Sequence, residues 1–166
     1  MDSHLIAPHG GKLADPMVSG EQAEEARAAS LDWESWDLAP RQMCDLELLL
    51  SGAFSPLTGF LGRKDYESVC DGMRLSCGTL WPVPVQLDVS RELAARLSEG
   101  DMLALRSPEG FMLAAVRVEE MWEPDFEREA GQVFATADPA HSAGVLPAHG
   151  LAKDCGVPDP QSHAPS

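Results

Sequence analysis

The side chains able to do chemistry fall into a few small groups. His9 precedes Gly10, Gly11 and Lys12, and an imidazole beside glycine backbone N–H groups could touch an anion. The run lacks the upstream glycine and the trailing Ser or Thr of a phosphate-binding loop, and no G-x-G-x-x-G occurs. A structural turn is therefore the expected role of His9 and its glycines. Arg41, Asp45 and Glu47 place a cation and two carboxylates in one short run. General acid–base work needs such groups converging on a substrate, whereas helical spacing sets Asp45 and Glu47 off the apolar face and Asp45 four residues after Arg41, which predicts solvation or a local ion pair. Cys44, Cys70, Cys77 and Cys155 form no C-x-x-C pair and no zinc-type spacing, so reduced structural thiols are expected. His141, His149 and His163 with Cys155 are irregularly spaced, which is a poor basis for a metal site. No Ser/His/Asp or Cys/His set stands out. The expectation is that this chain holds no catalytic, cofactor-binding or metal-binding residues.

The elements that would have to position such groups follow from periodicity and caps. Ser19 and Gln22 make a capping-box pattern ahead of a helix over Glu21–Leu31. Pro40 suits a first helical position, and Met43, Leu46, Leu49 and Leu50 fall on one face of a helix over Arg41–Leu50. That helix should be buried and end at Gly52, after which a turn inserts Phe54, Leu57 and Phe60 into the core. Trp36 is also expected in the core. A shorter helix over Lys64–Cys70 is read with Gly72 as its stop. From Trp81 to Val89 the apolar residues alternate, so the spacing predicts a strand whose prolines, Pro82 and Pro84, confine its first half to an edge. Ser90 then caps a helix over Arg91–Leu97 ended by Gly100. A hairpin is expected to pair Met102–Leu105 with Phe111–Trp122 across Ser107–Gly110. A last helix opens at Pro124 and carries Phe126, Ala130, Val133 and Phe134 on one face.

The chain has 166 residues, enough for one domain that buries roughly 70% of its unfolded surface. It carries 27 Asp and Glu against 12 Lys and Arg, and this excess repels polyanions. Nucleic acid and anionic membrane are thus disfavoured as partners. There is no basic, apolar leader and no apolar run of about 20 residues, so a cytoplasmic location is the default expectation. Beyond Ala135 the composition turns to Ala, Pro, His, Gly and Ser, which cannot offset its ordering entropy by burial. The expected organisation is one domain over 1–134 and a disordered tail over 135–166. Short strands, edge prolines and peripheral helices predict an α+β barrel rather than an alternating sheet.

An ordered series of motifs resembles the N-terminal domain of the ATP sulfurylase (sulfate adenylyltransferase) family. It comprises Ala7–Gly11, Trp36–Leu38, Pro40–Gln42, Cys44–Glu47, Phe54–Leu61, Asp65–Tyr66, and Gly78–Trp81 running on to Pro84 and Leu87–Val89. The resemblance extends from about Leu5 to Phe134 and fades near Val145. It implies a small PUA-like pseudo-barrel of mixed strands with peripheral helices. It also implies an enzyme family that joins ATP and sulfate into adenylyl sulfate with release of pyrophosphate, using ATP with magnesium.

In that family the groups that meet the converging negative charge lie in a later catalytic domain, in an Arg-Asn-Pro segment and a Gly-Arg-Asp-His segment. Neither occurs in these 166 residues. Gly62–Arg63–Lys64–Asp65 is only superficially like the second and has no histidine. Asp138–Pro139–Ala140–His141 resembles the family's linker, but Ser142 stands where Pro is usual. A truncation, a frameshift or a gene fragment is the expected origin of such an end. Ala53 replaces a common Gly, which would cost on the order of 1 kcal/mol if the backbone there were left-handed, and Ser76–Cys77 replaces Ala-Asp. The resemblance thus implies a scaffold that is silent alone, partnered by a sulfurylase catalytic domain or chain, with a homo-oligomer also possible. It leaves an uncovered apolar patch expected among Trp81, Pro82, Phe111 and Trp122. A stand-alone binding module and an accessory subunit of a separate catalytic chain are the competing expectations.

Overall fold

The computed structural model describes residues 6–125 and the backbone of 149–152. The helix expected from Pro124, Cys155, the side chains of the three later histidines and the rest of the 135–166 segment lie outside the described residues. Helices form where the local signals are strongest. The first, α1, spans Gly20–Ala29, with the hydroxyl of Ser19 accepting from Gln22 N and the Gln22 side chain reaching back to Ser19 N. It stops two residues short of the expected end, and Leu31 is exposed. The second, α2, spans Pro40–Leu50 with Pro40 in its first turn, and buries Leu46 and Leu49. Its end is left-handed at Gly52 (φ 75°), where the chain turns into Phe54–Phe60. Phe60 and Leu57 are buried there and Phe54 is partly buried, as the spacing required.

The third helix, α3, spans Arg63–Gly72. Gly72 is not its stop, because the left-handed residue is Met73 (φ 52°). The fourth, α4, is a single turn over Arg91–Ala94 capped by Ser90, shorter than expected.

The strands are β1 (Glu34–Asp37), β2 (Leu87–Val89), β3 (Met102–Arg106), β4 (Met112–Arg117), β5 (Glu120–Trp122) and β6 (His149–Ala152). They form two three-stranded sheets, ordered β1-β3-β4 and β2-β6-β5. In the first, β1 runs parallel to β3 in the register Trp36↔Leu105, and β3 and β4 make the expected hairpin with a register shift at Leu105/Arg106. Ser107 and Gly110 close the turn. In the second, β6 pairs antiparallel with both neighbours. The α+β class with mixed strands and surrounding helices therefore holds.

Three expectations about strands are corrected. β1 was not foreseen, and Trp36 lies in it partly buried against the core rather than inside it. Trp81–Gln86 is not a regular strand. Burial does not follow its alternation, since Val83 is 45% exposed while Val85 and Gln86 are both buried. The long second arm of the hairpin breaks after Arg117, and its last residues cross to the other sheet as β5. Within the segment read as a tail, His149–Ala152 is a strand. One apolar cluster, including Leu46, Phe60, Leu87, Leu105 and Val116, joins the sheets and helices, and a smaller one gathers Tyr66, Cys70 and Trp122.

Candidate functional site

The N-terminal segment meets the turn after α2 at one place. His9 Nε2 lies 2.7 Å from the carbonyl oxygen of Leu80. A carbonyl only accepts, so Nε2 carries the proton and donates. The imidazole also lies against Trp81, with ring centroids 6.1 Å apart, and Phe54 meets Trp81 edge-on at 5.5 Å. Gly10 is left-handed, and a Cβ there would come within 2.7 Å of Pro56 Cγ across the cis Ser55–Pro56 bond. Three separated motifs thus converge, and they converge on packing. The Nε2 donor of His9 is committed to a backbone carbonyl, and its ring lies against Trp81.

Beneath this contact sits a polar joint that periodicity could not reveal. Ser55 Oγ is buried, accepts from Ala14 N at 2.9 Å and donates to Gly52 O at 2.5 Å. Gln42 is a second such joint. Its Oε1 accepts from Trp36 Nε1 and Ala39 N, and its Nε2 donates to Asp88 O at 2.7 Å, tying β1, α2 and β2 together. The sequence signal was its place at the third helical position, the back-reaching half of a capping box, behind an Ala39 that cannot cap.

The charged candidates are dispersed. Asp45 pairs with Arg41 at 3.7 Å, and burial raises its carboxyl above the ordinary range while Arg41 pulls the other way. Glu47 is exposed. In Gly62–Asp65, Arg63 holds Glu67 at 2.9 Å, its backbone N–H donates to Glu120, and Asp65 accepts from Ser76 N at 2.7 Å. These groups hold α3 in place and leave no cluster aimed at a substrate. Cys44 is exposed although helical, Cys70 is buried, and Cys77 is exposed with its thiol donating to Thr79 Oγ1 at 3.3 Å. The Cys77 pKa is lowered, first because the Thr79 hydroxyl can turn to donate to the thiolate. Among the described residues no group of three or more His, Cys, Asp or Glu could hold a metal ion.

The expected apolar patch is redrawn. Trp81 and Trp122 are buried, while Phe111 is 71% exposed. A groove of about 200 Å³ lies nearby, lined by Met17, Ala26, Arg27, Leu50, Leu113 and Ala115 among others. It offers apolar contact and one cation, but no nucleophile or carboxylate. No helix among the described residues is long and apolar enough to cross a membrane. The Ala53 backbone is not left-handed, so the cost considered for a residue without glycine's freedom does not arise there.

Two small mixed sheets wrapped by short helices and tied together by buried polar joints define the class. The PUA-like domain model matches residues 6–146, and the chain belongs to that family. Its curated relatives are sulfate adenylyltransferases. The one from Synechococcus sp. (strain JA-3-3Ab) is 45% identical over 136 residues, covering 82% of this chain and 35% of the relative. The one from Kluyveromyces lactis is 43% identical over 143 residues, covering 84% and 28%. The match is to the N-terminal part of these proteins, and the chain spans about a third of their length. A solved structure described as a hexameric APS kinase from Thiobacillus denitrificans superposes with a TM-score of 0.71 at 29% identity, covering 96% of this chain and 29% of that one.

Proposed function

We propose that this chain is the N-terminal scaffold domain of a sulfate adenylyltransferase, acting in the cytoplasm in sulfate assimilation and working only together with a catalytic domain or chain. The observation that carries this reading is the 45% identity over 136 residues to the N-terminal part of such a protein. ATP with magnesium, and sulfate, belong to the catalytic partner, where the nucleotidyl transfer occurs. Attack by a sulfate oxygen on the α-phosphorus gathers negative charge that needs several cations. The described part of this chain presents no such cluster. The scaffold role also accommodates a homo-oligomer, since the structural neighbour is described as hexameric.

The test is complementation. The Synechococcus relative is produced without its matched 136 residues and mixed or co-expressed with this chain, and sulfate-dependent pyrophosphate release from ATP is followed. The expected outcome is no release by this chain alone and release restored by the pair. Release by this chain alone, or none by the pair while the intact relative is active, would overturn the reading.

A further inference from the structure

One arginine stands apart from the others. Arg41, Arg63, Arg91 and Arg96 meet carboxylates, and Arg74 and Arg106 donate to carbonyl oxygens. Among the described residues the guanidinium of Arg27 has no such partner, although the chain carries 27 acidic residues against 12 basic ones. Arg27 is exposed and lines the groove between α1 and β4, and no carboxylate shares that lining.

The groove exists because its floor is made of small residues. Ala23 and Ala26 are three apart on one face of α1, Ala115 belongs to β4, and Ala26 and Ala115 are buried. A larger side chain at any of the three would fill the hollow of about 200 Å³. Its rims are apolar and uncovered. Met17 is 65% exposed and Leu113 43%, while Phe111, beside the lining residue Met112, is 71% exposed. Tight interfaces seat apolar anchors in such pockets and use arginine at their centres. The unpaired cation fixes the sign of the charge that must accompany the anchor.

We infer that this groove is the docking site for the catalytic region, which inserts an apolar side chain between α1 and β4 and sets an aspartate or glutamate against Arg27. The inference rests on the scaffold reading above. Two observations select this occupant over a second copy of the chain. In the relatives most of the length lies outside the matched N-terminal part, since this chain covers 35% and 28% of them, and that remainder needs a surface on this domain. A second copy would bring together two bodies that each carry a formal net charge of −15, and their repulsion opposes the contact.

The test is a chimera, the Synechococcus relative with its matched 136 residues replaced by the matching part of this chain. Amide exchange in α1 and β4 should be at least about tenfold slower in the chimera than in this chain alone. Arg27→Glu and Leu113→Glu, both at exposed positions, should abolish that difference while leaving the melting temperature of this chain alone unchanged. Sulfate-dependent pyrophosphate release reports separately on the scaffold reading. Release without slowing in α1 and β4, slowing that survives both substitutions, or slowing at Leu80 and Val83 in place of the groove would overturn the inference alone. Slowing in this chain alone as its concentration rises would make a second copy the occupant, and would overturn it too. No release by the chimera while the intact relative is active would overturn the scaffold reading and the inference together.

Discussion

Two glycines separate backbone strain from steric contact. Gly52 is left-handed, and a Cβ added there would lie 2.6 Å from the Ala14 carbonyl oxygen. Gly78 is also left-handed (φ 92°) but has nothing within 4 Å of that position. Gly78→Ala should therefore cost only the conformational penalty, about 1 kcal/mol. Gly52→Ala should cost about 2–3 kcal/mol, because the Ala14 segment must also move. Urea midpoints of the two variants check this, and equal losses would refute the role given to the Ala14 contact. Asp45 supplies a pH-dependent case. Its carboxyl titrates above the ordinary value of 3.8 chiefly because burial disfavours the charged form. A raised acid pKa means that the folded state binds the proton more tightly, so the stabilising contribution is full below 3.8 and is lost as pH rises through the folded value. Asp45→Asn should accordingly stabilise the protein at pH 7. The gain should be only a few tenths of a kcal/mol, since the exposed Arg41 pair is lost and solvent screens the site. Thermal melts of both proteins at pH 7 and near pH 4 should converge at the lower pH.

At the scale of elements, what could be read from the sequence was what is encoded locally. Ser19 with Gln22, Pro40 and Ser90 mark helix starts through contacts spanning three residues, so α1, α2 and α4 begin within one residue of where the sequence places them. β1 escaped notice because its partner β3 lies some seventy residues on, and nothing within Glu34–Asp37 announces a parallel pairing. Trp81–Val85 misled because the residue types alternate there while burial does not, Pro82 and Val83 both being exposed and Pro84 and Val85 both buried. Leu61 N donates to Val85 O, and Trp81 N to Met73 O, so this backbone is satisfied by loops. The polar joints at Gln42 and Ser55 were invisible for the same reason, their partners being as much as 46 and 41 residues away. α3 runs two residues past the expected end at Cys70, and its left-handed stop is Met73 instead of Gly72. Glycine is the usual left-handed terminator, yet here Met73 takes that conformation while its N–H caps the Val69 carbonyl. A side chain other than glycine costs roughly 1–2 kcal/mol there, and Met73 is 46% exposed, so little packing offsets it. Met73→Gly should raise stability by about 0.5–1 kcal/mol. A urea midpoint that falls would mean the methionine contacts outweigh the strain.

For the molecule as a whole, two electrostatic effects compete, and their magnitudes decide the response to salt. Ion pairs among the described residues include Arg41–Asp45, Arg63–Glu67, Arg91–Glu123 and Arg96–Glu34, and in each of these the arginine is more than half exposed. Such pairs contribute about 0.2–1 kcal/mol each at most, and salt weakens them. Against them stands a formal net charge of −15 on 166 residues, whose mutual repulsion is greatest when the chain is compact and is also screened by salt. With 27 acidic residues and only 12 basic ones, most carboxylates have no cation to meet, so the repulsive sum is the larger. Raising ionic strength from about 0.01 M, where the screening length is about 30 Å, to about 0.15 M, where it is about 8 Å, should therefore raise the melting temperature by a few degrees. The same charge balance predicts no retention of this chain by structured RNA at physiological salt, which gel-shift titration can follow. A melting temperature that falls with added salt would mean that the surface ion pairs outweigh the repulsion. The net charge would then be spread too widely to matter within a Debye length.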